Sequence, residues 1–186
     1  MTDLKQLLDS YNLCARFAPG FLFIVAVYFL LGYDIETLQD NSVAFLVLLV
    51  ILSGVCGFIS SSLIKFMELL LWKVKHPTIC YLKLFEKKLY EYLFNEHKSD
   101  SKIITYLLKT TRDDKKLFWK NISYGFFKNS ILLSLACLYF SYPTEYFYKN
   151  IFVCIVIIFM TFICSFYYAE QAIKSYQENT CKEKKK

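Results

Sequence analysis

The feature that most limits what this chain can become is the placement of its charges: four stretches carry none, at lengths that match a bilayer. Between Arg16 and Asp34 lie 17 uncharged residues, between Asp40 and Lys65 24, between Lys128 and Glu145 16, and between Lys149 and Glu170 20. A helix rising about 1.5 Å per residue needs about 20 apolar residues to cross a hydrocarbon core ~30 Å thick, within a range of roughly 17–25. The second and fourth stretches meet this outright. The first is completed by Ala15 and Tyr33 with Arg16 snorkelling, and the third by Tyr124 to Phe127 with the Lys128 head reaching headgroups or a partner helix. The alternative for the third is a buried or re-entrant helix. A composition of 56% hydrophobic and 20% charged residues is more apolar than soluble domains use.

The expected fold is therefore an all-α polytopic membrane protein, with four transmembrane helices and a small helical cytoplasmic insert between helices 2 and 3. An N-terminal hairpin covers 1–66, with spans at about 15–33 and 43–64, and a basic helical insert covers 67–121. A C-terminal hairpin covers 122–170, with spans at about 124–142 and 150–169, and a basic cytoplasmic tail covers 171–186. A cleaved signal peptide is not expected, because Asp3 and Asp9 offset Lys5 and Arg16 and no A-x-A site follows the first apolar run.

Charge sets the expected orientation. The loop from Tyr33 to Asn41 holds Asp34, Glu36 and Asp40 and no basic residue, whereas Lys65 to Lys128 holds 14 Lys/Arg and the tail from Lys174 five more. The positive-inside rule then places both termini and the insert on the cytoplasmic side of the membrane. Over Lys65 to Lys128, 14 basic minus 7 acidic residues gives +7, enough to account for the net charge of +6. Attraction to anionic lipid, at about 1 kcal/mol per basic residue near the surface, is the favoured explanation. Tyr81, Phe85, Tyr90, Tyr92, Tyr106 and Trp119 interleave with these charges as in an RNA or nucleotide surface, but most are expected on apolar helix faces, which disfavours that partner.

Within the insert, Leu82, Phe85, Leu89 and Leu93 recur at helical spacing after Pro77. Ser99 to Ser101 offer N-caps for a second helix bearing Ile103, Ile104, Leu107 and Leu108, and Asp113 or Asp114 for a third that runs into the third span. Of seven cysteines, Cys56, Cys137, Cys154 and Cys164 fall in spans and Cys14, Cys80 and Cys181 on the cytoplasmic side, so no disulfide framework is expected. No C-x-x-C, H-E-x-x-H, Gly-rich phosphate loop or intramembrane acid is present, and neither Arg16 nor Arg112 is followed by the His of HEPN-type ribonucleases. No metal, cofactor or enzymatic activity is expected.

Two patterns stand out as packing or functional signals. In the second span Ser53, Gly57 and Ser61 recur every four residues, with Gly54 and Ser60 beside them, a face that lets helices approach closely within one subunit, between subunits or around a pore. Near the start of the third, Asn121, Gly125, Lys128 and Asn129 form a polar stripe, with Glu68 the expected acidic partner of Lys128 at the same depth.

Three blocks, Tyr11 to Phe21, Ser61 to Leu82 and Arg112 to Leu133, resemble a family of small four-span bacterial membrane proteins. The resemblance is carried by Arg16 and Pro19, Glu68 and Trp72, Pro77 and Thr78, and Asn121, Tyr124, Gly125, Phe126, Lys128 and Asn129. It departs at Lys128, where Arg is expected, and at a His-Pro-Thr turn that is more glycine-rich in the family. Proteins of this build are similar to membrane accessory and effector proteins of antiphage systems, including those accompanying RNA-targeting CRISPR effectors. The resemblance implies a non-enzymatic role through oligomerisation and altered permeability, or through modulation of a cytoplasmic nuclease or signalling partner. A small channel or transporter, or a membrane scaffold unrelated to defence, is the alternative.

Overall fold

The computed structural model describes residues 10–33, 43–71, 76–111, 114–142 and 144–183, without the side chains of 44, 68–71, 182 and 183. Among these the structure is helical, with no strand: α1 (Ser10–Leu30), α2 (Val43–Leu71), α3 (Pro77–Phe85), α4 (Lys87–His97), α5 (Asp100–Thr110), α6 (Lys115–Ser141) and α7 (Phe147–Glu183). Three stretches are long and apolar enough to cross a membrane: Ser10–Leu30, Phe45–Met67 and Phe147–Cys181. This is the build of a membrane protein. At 27 residues α6 is long enough as well, but Lys128, Asn129, Ser130 and Ser134 interrupt its apolar half. The chain forms two compact units, residues 1–67 with 125–161 and residues 68–124 with 162–186.

The first unit is apolar outside. On α2, Leu46, Val50, Ile51, Ile59 and Leu63 are exposed while Ser53, Gly57, Ser60 and Ser61 are buried. Phe152, Ile155 and Phe159 of α7 are likewise exposed while Cys154 is buried. Water would disfavour such a surface; lipid does not, and in lipid close backbone approach between small residues replaces hydrophobic burial as the packing force. The first helix ends on Gly32 at φ 84°, whose N–H bonds to the Phe29 carbonyl while the Tyr33 N–H reaches that of Tyr28. A left-handed residue here closes the last turn, and glycine takes that conformation without strain.

The second unit is built the other way round. Ile79, Leu82, Leu93, Ile103, Leu107, Ile173 and Tyr176 form its buried core. Each such side chain contributes on the order of 1.5–3 kcal/mol on leaving water. Pro77 opens α3 at a position where its missing N–H is harmless, and His76 caps it by accepting from the Thr78 N–H at 3.4 Å.

The apolar period over 79–93, read from sequence as one helix, is broken at Glu86, where φ −127° and ψ 51° leave the helical region. A straight helix carrying Ile79, Leu82 and Leu93 inward would carry Glu86 on the same stripe. The break takes the carboxylate out of that stripe and leaves Phe85 mostly exposed. The segment read as a basic tail is helical to Glu183, and its Ala172, Ile173 and Tyr176 are core residues.

Candidate functional site

In the first unit α1, α2 and α6 meet at a polar clasp whose origin is Pro19. A helical residue at 19 would donate its N–H to the carbonyl of residue 15, and proline has none to give. The chain answers with a π-helical turn over Leu13–Phe17, in which the Ala18 N–H reaches back five residues to the Leu13 carbonyl. The Ala15 carbonyl is taken up by Asn129 of α6, whose Nδ2 donates to it at 2.5 Å. The Asn129 carbonyl in turn accepts from Ser60 Oγ of α2 at 2.7 Å. Ala15, Ser60 and Asn129 are all nearly inaccessible. A freed backbone carbonyl at membrane depth is tolerated only where a neighbouring helix supplies a donor.

Glycines let the backbones come close enough for this. A Cβ on Gly57 would lie 2.0 Å from the Arg16 carbonyl oxygen, and one on Gly20 would lie 2.0 Å from that of Ser53. A Cβ on Gly125 would lie 3.0 Å from both the Ala15 methyl and the Tyr11 hydroxyl. A Cβ on Gly54, one turn from Gly57, would meet only the Phe17 ring, at 3.5 Å. The Arg16 guanidinium lies near the Tyr11 and Phe58 rings, 5.7 and 5.5 Å from their centroids, where ring faces stabilise a cation. Its Nε is buried and has no hydrogen-bond partner among the described residues.

Arg16, Pro19, Gly125 and Asn129 therefore meet in one junction, together with Ser53 and Gly57 of the small-residue face. Ser61 is buried beside them in sequence, Lys128 is partly buried in the same unit, and Phe126 stacks edge-on against Phe127 with centroids 5.2 Å apart. The remaining candidates go elsewhere. Asn121 and Tyr124 belong to the second unit, where Tyr124 stacks on Tyr168 with centroids 5.9 Å apart, as do Pro77 and the buried Thr78. Trp72 lies outside the described residues, and so does the side chain of Glu68, hence its expected pairing with Lys128.

The second unit holds its own polar cluster. Asp114 caps α6, accepting from the Lys116 N–H at 2.8 Å, while its other carboxylate oxygen accepts from Ser175 Oγ and from Gln171 Nε2 at 3.1 Å. Burial opposes ionisation, but these hydrogen bonds together outweigh it and hold the Asp114 carboxyl below its ordinary value. One turn along α7, Asn179 Nδ2 donates to the Thr110 carbonyl at 2.9 Å, closing the end of α5. On the opposite end of α5, Asp100 accepts from Lys83 Nζ at 3.0 Å and from the Tyr90 hydroxyl at 2.8 Å.

These α7 contacts were missed from sequence because the basic ending masked an apolar i, i+3, i+4, i+7 pattern at Ala169, Ala172, Ile173 and Tyr176, the signal that could have found them. Among the described residues no three His, Cys, Asp or Glu side chains gather as a metal site needs. Asp114 thus caps α6 and ties it to Ser175 and Gln171 of α7. No family model, curated protein or solved structure matches the chain.

Proposed function

We propose that the chain is a multi-pass, non-enzymatic membrane accessory or effector protein of bacterial antiphage defence. In this reading α6 is the fourth crossing, both termini and the second unit face the cytoplasm of an inner membrane, and the protein acts as an oligomer. The fourth crossing is supported by burial: Asn129, Ser130 and Ser134, which lower the apolarity of α6, are all inaccessible and so need not meet lipid. The cytoplasmic placement rests on the basic flanks from Lys65 to Lys128 and from Lys174 onward.

The observation that carries the functional reading is the junction of Arg16, Pro19, Gly125 and Asn129. Four residues that carry the resemblance to small four-span bacterial membrane proteins, a build similar to that of defence accessory proteins, are far apart in sequence and converge where a proline-freed carbonyl is held by one amide. Such a π turn with a substitute hydrogen bond is a place where a helix has a second arrangement available. A cytoplasmic partner bound to the basic unit would act through it on membrane permeability or on a nuclease. Phage plaquing and membrane depolarisation, measured with and without the gene alongside its native neighbours, test this. Protection or depolarisation that depends on the gene, and fails for Asn129→Ala, is the expected result; identical values for wild type and deletion overturn it.

A further inference from the structure

The short helix α3 ends in two side chains that the second unit does not cover: Leu84 is 76% exposed and Phe85 60%. Phe85 nevertheless has a fixed neighbour, its ring meeting Phe166 edge-on with centroids 5.4 Å apart, while Tyr81 contacts both rings at 5.0 and 5.1 Å. Phe166 belongs to the last turn of the 20-residue apolar run of α7, four residues before Glu170. That run, at about 1.5 Å per residue, is just long enough for the hydrocarbon core, so Phe166 marks the depth at which α7 leaves it. The next residue, Tyr167, lies under Lys120 of α6, whose Nζ is 4.9 Å from the ring centroid, and Trp119 beside it is mostly exposed. Tyrosine, tryptophan and lysine gathered at one level of a spanning helix are the composition of a membrane–water boundary.

From this we infer that the α3–α4 corner is a lipid-binding surface: Leu84 and Phe85 enter the headgroup region of the bilayer that α7 crosses, and anionic phospholipid is their partner. Continuity carries the choice of occupant. The Phe85 ring meets Phe166, which follows the exposed Phe159 and Phe162 along one apolar side of α7. Charge complements it, since Lys87 and Lys88 follow at once and are exposed, whereas Lys83 is already engaged with Asp100. The break at Glu86 acquires a purpose: it releases α3 from the line of α4 and lets its last turn lie against the boundary. By contrast α5 packs on Ile173 and Tyr176, seven and ten residues beyond Phe166 along α7, and so sits roughly 10–15 Å further from that level.

The inference rests on the membrane reading of α7, and the experiment separates the two. The photoreactive residue p-benzoylphenylalanine is placed, one position at a time, at Leu84, at Ile155 on the exposed apolar face of α7, and at Thr105 on α5. The full chain is reconstituted in vesicles of phosphatidylcholine with one quarter phosphatidylglycerol, irradiated and analysed by mass. Phospholipid adducts at 84 comparable with those at 155, biased toward phosphatidylglycerol, with 105 at background, are expected. Adducts at 155 but not at 84 overturn the surface while leaving the membrane reading intact, and adducts at neither overturn both. Products of doubled protein mass at 84 overturn it in favour of a second copy of the chain. All three positions are exposed, so the probe displaces no core, and unchanged thermal unfolding of each variant checks this.

Discussion

The two units solve packing with opposite residues. The second buries Leu82, Leu93, Ile103 and Leu107 and exposes charges such as Lys87, Lys88 and Glu91 together with aromatic side chains, whereas the first buries Ala15, Ser53, Gly57, Ser60 and Asn129 and shows Leu, Ile and Phe. One chain thus carries two chemistries of cohesion. Where water is the competitor, removing large apolar surface from it drives association. Where lipid is the competitor that drive vanishes, since tails are as apolar as leucine, and what remains is close contact and hydrogen bonds between helices. The inverted interior is a stronger statement about solvent than the hydropathy of any one helix, because it shows what each unit has to hold itself together with.

The contrast breaks most visibly at the side chains that define each interior. Leu107→Ala removes a fully buried side chain from the second unit and is expected to destabilise it by about 3 kcal/mol through lost burial and the cavity left behind. Denaturant unfolding in micelles measures this; Leu84→Ala, on the exposed corner, should change it by less than a tenth as much. A loss of the same size at both positions would mean that the second unit is not organised around its aliphatic core.

In the first unit the larger effect comes from adding atoms. Gly57→Ala places a methyl 2.0 Å from the Arg16 carbonyl, a backbone atom that cannot swing aside, so α1 and α2 must separate. About 2 kcal/mol is the expected loss. Gly54→Ala, which meets only the Phe17 ring at ordinary contact distance, should be near neutral. Equal tolerance of the two would show that the helices do not depend on close approach.

Asp114 sharpens the comparison from the polar side, where the second unit relies on a charge. Its folded carboxyl is held below the ordinary value of 3.8, so its contribution is fully present above that value and is lost as pH falls through the folded one. Asp114→Ala should lower stability by about 1 kcal/mol at neutral pH, the usual worth of a helix cap. The difference from wild type should then close in acid and stay constant on the alkaline side. A difference that instead grows as pH falls would contradict the sign.

What the sequence made legible follows from these two regimes. Runs such as Asp40 to Lys65 announce a crossing because lipid tolerates no unpaired charge over 24 residues, and Ser53, Gly57 and Ser61 announce close approach because only small residues permit it. The role of Pro19 was less visible. A proline early in an apolar helix signals a freed carbonyl, but which of many polar side chains reaches it depends on how three helices dock, and Asn129 is 114 residues from Ala15. Glu86 could have been read, as a charge on the apolar stripe of an otherwise continuous helix. The α7 extension was hidden because charge counting treats KEKKK and its approach as tail, while burial is decided by the apolar residues between the charges.

The smallest expected effect lies at Lys98, which ends α4 with φ 57° and ψ 10°. Its N–H bonds to the Phe94 carbonyl at 2.7 Å, so the left-handed residue is what closes the last turn, the same task that Gly32 performs at the end of α1. An L side chain in that region crowds its own carbonyl by about 1–2 kcal/mol, a strain glycine does not have. Part of the relief is returned because glycine also gains freedom in the unfolded chain. Lys98→Gly should therefore stabilise the second unit by about 0.5–1 kcal/mol, read as a Tm rise of a few degrees at most. The tighter prediction is the pairing with Gly32→Ala, where the same exchange is made in reverse and no atom of the described residues lies within 4 Å of the added methyl. That loss should be comparable in size and independent of packing, since the backbone conformation alone sets it. A Lys98→Gly variant less stable than wild type would mean that the lysine side chain contributes more than its conformation costs.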